Sequence, residues 1–189
     1  MADKRKDDPV ERLVDAYETM LHRVHDAVEA AEEKTVPALR RALDQAREKS
    51  VELGELSREE ADRLAGYLER DLRDLSRFVA DTGQDFRDWF LFDLRLVEER
   101  LLELFLGVAD RTHVALHRLA EEARQASRYH AGEVTGPGTL VCVQCGELIH
   151  FRHVSRIPPC PNCHGMEFRR ADAADLAAQG SDRGDVDGD

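Results

Sequence analysis

Along most of this chain, apolar residues recur at steps of three and four, the spacing that places them on one face of a helix. The first run is Val10, Leu13, Val14, Tyr17, Leu21, Val24 and Val28. Asp8-Pro9-Val10-Glu11 opens it, with an aspartate to cap, a proline at the first helical position and a glutamate three residues after the cap. Pro37 forces a break or kink near Thr35-Val36, because its ring clashes with the preceding turn. A shorter stripe of Leu39, Ala42, Leu43, Ala46 and Val51 follows and ends near Gly54. Ser57-Arg58-Glu59-Glu60 is a capping box, in which serine reaches forward and glutamate reaches back. The helix it opens carries Ala61, Leu64, Leu68, Leu72, Leu75 and Val79 and stops at Thr82-Gly83.

The longest helix is predicted from about Gln84 to Tyr129, with a possible disturbance at Gly107. One stripe holds Phe90, Leu94, Val97, Leu101, Leu104, Val108, Ala115, Leu119 and Ala123. At about 100° per residue, Phe92, Leu96, Leu102 and Leu106 fall on roughly the opposite side, flanked by Trp89 and Leu91. A helix apolar on two faces is buried on two faces. The pattern therefore predicts a central helix covered by the N-terminal ones. The alternative is a face near Trp89 to Leu106 that meets a second copy or a protein partner.

His130-Ala131-Gly132-Glu133 reads as a helix end, and Thr135-Gly136-Pro137-Gly138 reads as a tight linker. Short β-compatible segments follow at Leu140-Val141, from Leu148 to Val154, and at Glu167-Phe168-Arg169. Beyond Arg170 almost no bulky apolar residue remains, so disorder is expected. The predicted organisation is a disordered N-terminus over 1–8, a helical, coiled-coil-like domain over 9–131, and a linker over 132–139. The paired cysteines Cys142-x-x-Cys145 and Cys160-x-x-Cys163 mark 140–170 as a zinc ribbon, and an acidic disordered tail over 171–189 completes the chain. The fold class is mainly α, a long antiparallel helical hairpin or bundle followed by a small C-terminal β zinc ribbon.

Composition supports the helical part: of 189 residues, 35% are charged and 6% aromatic, as in long amphipathic helices. No apolar run approaches the roughly 18 residues that span a bilayer, so no membrane segment is expected. Met1 to Asp8 is charged with no apolar stretch after it, so no secretory signal is expected and the location is predicted as cytoplasmic. The net charge of −12 is unevenly spread. Residues 1–139 balance 22 Lys/Arg against 31 Asp/Glu, or −9; residues 140–170 stand at +2 and the tail at −5. So acidic a chain repels polyphosphate at long range, which disfavours non-specific nucleic-acid binding.

The four cysteines stand as Cys142-Val143-Gln144-Cys145 and Cys160-Pro161-Asn162-Cys163, the pattern C-x2-C-x14-C-x2-C. Two residues between thiolates let a tight knuckle bring both sulfurs onto one ion at about 2.3 Å. Gly146 and Gly165 are placed where a positive φ would turn the backbone N–H groups toward the sulfurs. Two such knuckles on short antiparallel strands make a zinc ribbon, with Cys142, Cys145, Cys160 and Cys163 as ligands of one structural zinc. Iron held as in rubredoxin is the standing alternative, because tetrahedral all-thiolate geometry does not discriminate. Disulfides lack the secretory context they need. A redox CxxC of the thioredoxin kind lacks its βαβ setting.

A bundle followed by such a module also resembles rubrerythrin, whose di-iron centre requires Glu-x-x-His pairs on bundle helices. The only glutamate with a histidine three residues later is Glu147, with His150, inside the ribbon. His113 and His117 lack the glutamate of a zincin, since Val114 stands in its place. His22 and His25 are solvated or interface histidines by default. No phosphate loop, nucleophile elbow or carboxylate dyad is present, and four protein ligands leave a metal no open position. The expectation is a protein that is not an enzyme.

From Tyr129 to Cys142 the segment YHAGEVTGPGTLVC resembles the YbeL-like family of bacterial zinc-ribbon-containing proteins. The similarity continues through Cys145, Cys160-Pro161-x-Cys163 and Phe168-Arg169-Arg170, and it extends into the helical part. The resemblance implies a cytoplasmic protein with a helical N-terminal region, a C-terminal ribbon and no assigned activity. The leading functional expectation is a scaffold that presents the ribbon to a protein partner. The alternative is nucleic-acid binding through Arg152, Arg156, Arg169, Arg170 and Phe151 on the ribbon surface.

Overall fold

A computed structural model of the chain describes residues 9–32, 35–82, 108, 128–172 and 174–175. Three helices come first: α1 (Pro9–Ala30), α2 (Val36–Glu52) and α3 (Arg58–Thr82). The chain breaks where Pro37 requires it. Thr35 takes the cap position of α2, its Oγ1 accepting from the Ala38 N–H at 3.4 Å, and Pro37 falls in the first turn. Gly54, at φ +68°, turns the chain out of α2 in a conformation that favours glycine. The capping box forms as its spacing predicts: the Glu60 N–H donates to Ser57 Oγ at 3.2 Å, and the Ser57 N–H donates to Glu60 Oε2 at 2.9 Å.

The predicted stripes face one another. Tyr17, Leu21, Val24, Leu39, Leu43, Leu64, Leu68 and Leu72 are all buried, with Met20 and Leu56 beside them. Each such side chain contributes about 1.5–3 kcal/mol by leaving water. Polar ties at the rim fix the arrangement. Arg23 of α1 forks onto both Glu55 oxygens at 2.7 Å and also reaches Ser50 Oγ at 2.8 Å, while Arg12 pairs with Glu60. Val108, helical and fully buried, joins the same core. The two-faced stripe from Trp89 to Leu106 lies outside the described residues, as do His113 and His117. The described fold is thus mixed helix and sheet, and a long antiparallel hairpin is not among what it shows.

Six short strands follow: β1 (Arg128–His130), β2 (Val134–Thr135), β3 (Gly138–Cys142), β4 (Leu148–Phe151), β5 (Ser155–Arg156) and β6 (Glu167–Arg170). Two boundaries differ from the sequence expectation. Arg128–His130 is a strand, not the end of a helix, because Tyr129 turns inward opposite Phe168 while its neighbours face outward. Three residues are too few for periodicity to reveal that. The expected 132–139 linker is also structured. Val134–Thr135 pairs with Ser155–Arg156, and residues 134 to 142 are buried without interruption.

The larger sheet is antiparallel in the order β1-β6-β3-β4, and β2-β5 forms a separate two-stranded arm. Tyr129, Leu140, Phe151, Ile157 and Phe168 pack with Cys142 and Cys160 into a second, smaller core. The arm belongs elsewhere: Val134 and Val154 are buried in the helical core. The first residues of the tail are ordered as well. Arg169 forks onto Asp175, and Asp172 Oδ1 accepts from the Ala174 and Asp175 N–H groups, each at 3.0 Å. Among the described residues, no helix is long and apolar enough to cross a membrane.

Candidate metal centre

β3 ends on Cys142, and the loop to β4 carries Cys145; Cys160 and Cys163 lie in the turn before β6. The two knuckles repeat one geometry. The Gly146 N–H donates to the Cys142 carbonyl at 2.9 Å, and the His164 N–H donates to the Cys160 carbonyl at 2.9 Å. Each turn closes through a positive φ, +78° at Gly146 and +60° at His164. The left-handed position of the second knuckle is therefore His164, not the expected Gly165. Glycine at 165 answers a different need. A Cβ there would stand 2.8 Å from Gln144 Oε1 and 3.2 Å from Cys142 Sγ.

The knuckles bring all four sulfurs within 4.8 Å of one another. Across the site, Cys142 Sγ lies 3.6 Å from Cys163 Sγ, and Cys145 Sγ lies 3.6 Å from Cys160 Sγ. A tetrahedral ion about 2.3 Å from each sulfur sets the sulfurs about 3.8 Å apart. The four therefore fit one ion, whereas a disulfide would need about 2.05 Å. Cys142 and Cys160 are buried and Cys145 is exposed. Among the described residues this is the one group of Cys, His, Asp or Glu arranged to hold a metal. His150 instead meets Thr139 Oγ1 at 2.9 Å through Nδ1, and His153 and His164 face solvent.

The electrostatics also suit a cation. Burial opposes ionisation of Cys160, but the Cys163 and Asn162 N–H groups aimed at it, with the neighbouring thiols, bring it down to about 7. The Gly165 N–H favours a thiolate at Cys163, yet the crowding sulfurs of Cys145, Cys142 and Cys160 push it up to about 12. One sulfur ionises readily and holds the proton on its neighbour, a conflict that a divalent ion removes. With four protein sulfurs in place, the site is closed to a water nucleophile.

A second set of residues fastens this ribbon to the helices, and sequence reasoning missed it. Asp71 on α3 is fully buried. It accepts from Tyr17 Oη of α1 at 2.7 Å, from the Gly136 N–H at 2.8 Å, from Thr135 Oγ1 at 3.3 Å and from Arg170 Nη2 at 3.2 Å. Tyr129 Oη donates to Asp74 at 2.7 Å and accepts from Arg170 Nη2 at 3.0 Å. Two guanidinium groups lie over its ring, that of Arg70 at 3.7 Å from the centroid and that of Arg170 at 4.9 Å. Burial, together with nearby carboxylates, pushes the Tyr17 and Tyr129 hydroxyls well above the usual phenol range, so both remain donors.

The signal was present in the sequence: Asp71 sits three residues after Leu68 and next to Leu72, an acid inside an apolar stripe. The same geometry corrects the proposed nucleic-acid surface. The Arg170 side chain is largely covered and committed to Asp71, Arg169 is paired with Asp175, and Phe151 lies in the ribbon core. Arg152 and Arg156 remain on the surface.

Short antiparallel strands carrying two CxxC knuckles on a helical base define a zinc-ribbon protein. Residues 26–172 match the family described as zinc-ribbon containing domain, and this chain belongs to that family. It is 30% identical over 138 residues to the uncharacterized protein YbeL of Escherichia coli K12, which covers 73% of this chain and 83% of the relative. The same-named proteins of strains O6:H1 and O157:H7 match to the same extent. No solved structure matches the chain.

Proposed function

We propose that this protein is a non-enzymatic scaffold in which one structural zinc holds the ribbon as a rigid surface for a protein partner. The observation that carries the reading is the closure of the sulfur cluster, four cysteines within 4.8 Å with no fifth candidate ligand among the described residues. Such a site supports architecture, because hydrolytic zinc keeps a coordination position for water. Zinc is favoured over iron by the family to which the ribbon belongs. The cytoplasm is the proposed location. The two-faced apolar pattern from Trp89 to Leu106 is the proposed contact, either for a second copy or for the partner.

Elemental analysis together with crosslinking and affinity capture tests this reading. One zinc per chain, no iron charge-transfer bands and a reproducible partner or self-association support it. A red, iron-loaded protein, or a strictly monomeric chain that captures nothing, overturns it. The nucleic-acid alternative loses ground with Arg169 and Arg170 in internal pairs, and the expected result with single- or double-stranded probes is no shift even at low salt.

A further inference from the structure

The sulfur cluster and the buried Asp71 are joined by two strands. β3 starts just after Gly136, whose N–H donates to Asp71, and ends on Cys142. β6 follows the second knuckle and pairs with the first: Cys142 lies opposite Phe168 and the Val143 N–H donates to the Glu167 carbonyl at 3.0 Å, while the Cys160 N–H donates to the Gly165 carbonyl at 2.9 Å. Two residues beyond Phe168 comes Arg170, in register with Leu140. From there its guanidinium reaches Asp71, Tyr129 and Thr135. A one-residue slip of β6 would send the Arg170 side chain to the other face of the sheet.

The ribbon's own core is small support for that register. It has seven buried members, two of which, Cys142 and Cys160, belong to the sulfur cluster. A core of that size does not hold a fold unaided. On the helical side, Asp71 takes only one of its hydrogen bonds from α1 and the rest from the ribbon, through Thr135, Gly136 and Arg170. Each half therefore depends on the other.

We propose that metal occupancy of the ribbon and docking of the ribbon onto α1 and α3 are one coupled equilibrium, with Arg170 the positioning residue that links the knuckles to Asp71. The inference rests on the reading that the four thiolates hold zinc. Loss of the ion frees β6, withdraws Arg170 from Asp71, and lifts Val134 and Val154 out of the helical core. By linkage the coupling runs both ways, so weakening the Asp71 contact weakens zinc binding at a site to which Asp71 contributes no ligand.

The test uses the full chain, with zinc as the probe in competition against a chromophoric chelator, and hydrogen exchange read by mass spectrometry. Asp71→Asn and Tyr129→Phe are expected to weaken zinc binding by about fivefold or more, the lower end for coupled sites. Removing zinc from the unaltered chain is expected to speed exchange in α1 around Tyr17 and in α3 from Leu68 to Asp74. Arg23→Ala, which breaks a helix pair away from the ribbon, is expected to lower the melting temperature with zinc affinity unchanged. That variant separates coupling from general destabilisation. Unaltered zinc affinity in both Asp71→Asn and Tyr129→Phe overturns the coupling while leaving the metal reading intact, as does unchanged helix exchange on zinc removal. A chain that binds no zinc under any condition overturns the metal reading itself.

Discussion

Arg170 Nη2 lies 3.2 Å from Asp71 Oδ1 across 99 positions of chain, with the Asp71 side chain fully buried and that of Arg170 only 7% exposed. A buried ion pair of this kind adds modest net stability when intact, yet removing one partner strands the other charge without solvent. Asp71→Asn is therefore expected to destabilise the fold by about 3–5 kcal/mol. Arg12→Ala, which breaks a pair at the rim, should change stability by less than about 1 kcal/mol. Urea denaturation followed by circular dichroism measures both, and equal effects would mean that the Asp71 contact is not specially placed.

The four cysteines are not equivalent in what each substitution removes. Serine at any of the four should abolish stoichiometric zinc, as read by elemental analysis of the purified chain. Cys142→Ser and Cys160→Ser also remove a sulfur from the ribbon core, whereas Cys145→Ser alters an exposed position. The first two should melt at lower temperature than the third. A reversed order would argue that packing of the sulfurs contributes little.

Two glycines should respond in opposite directions. Gly66 lies inside α3 with nothing within 4 Å of the position a Cβ would take. Gly66→Ala is expected to stabilise the helical part by about 0.5–1 kcal/mol. Gly165→Ala brings a methyl group against Gln144 and the Cys142 sulfur, and should weaken zinc binding in a chelator competition.

Acid should erase the contribution of specific carboxylates. The hydrogen-bonded Arg23 guanidinium holds the Glu55 carboxyl below its ordinary value, and the Ser57 N–H does the same for Glu60. For a depressed carboxyl the stabilisation is complete above the unfolded-state value and is lost as pH falls through the lower folded-state value. Arg23→Ala should thus be less stable than the unaltered chain at neutral pH. The gap should narrow below about pH 4.3, the ordinary glutamate value. Denaturation midpoints at several pH values check this, and a gap that stays constant or widens on acidification contradicts the assignment.

The helices were legible because their signals are local. Pro37, Gly54 and the Ser57 to Glu60 box act within one turn, and the apolar stripes need only the chain's own periodicity. The four-cysteine cluster was legible for a similar reason, since the two-residue gaps in CVQC and CPNC fix the knuckles before any tertiary contact forms. What the pattern hid was the joint between the parts. Tyr129 reads as the end of a helix until Phe168 is known to lie opposite it, and Arg170 reads as surface charge until Asp71 is known to lie beneath it. His164 shows a smaller limit: the knuckle needed one left-handed residue, and glycine one position later drew attention away from it. Partners 39 to 99 residues apart leave no local mark except an acid where the α3 stripe should be apolar.

Because Val134 and Val154 are seated among the helices, the ribbon is not a portable cassette. A fragment beginning at residue 140 would leave behind β1, β2 and part of β3, and a helical fragment ending at 131 would open two holes in its own interior. A piece of this protein meant for dissection or for a fusion should therefore keep the helices that seat Val134 and Val154 together with the ribbon through Arg170.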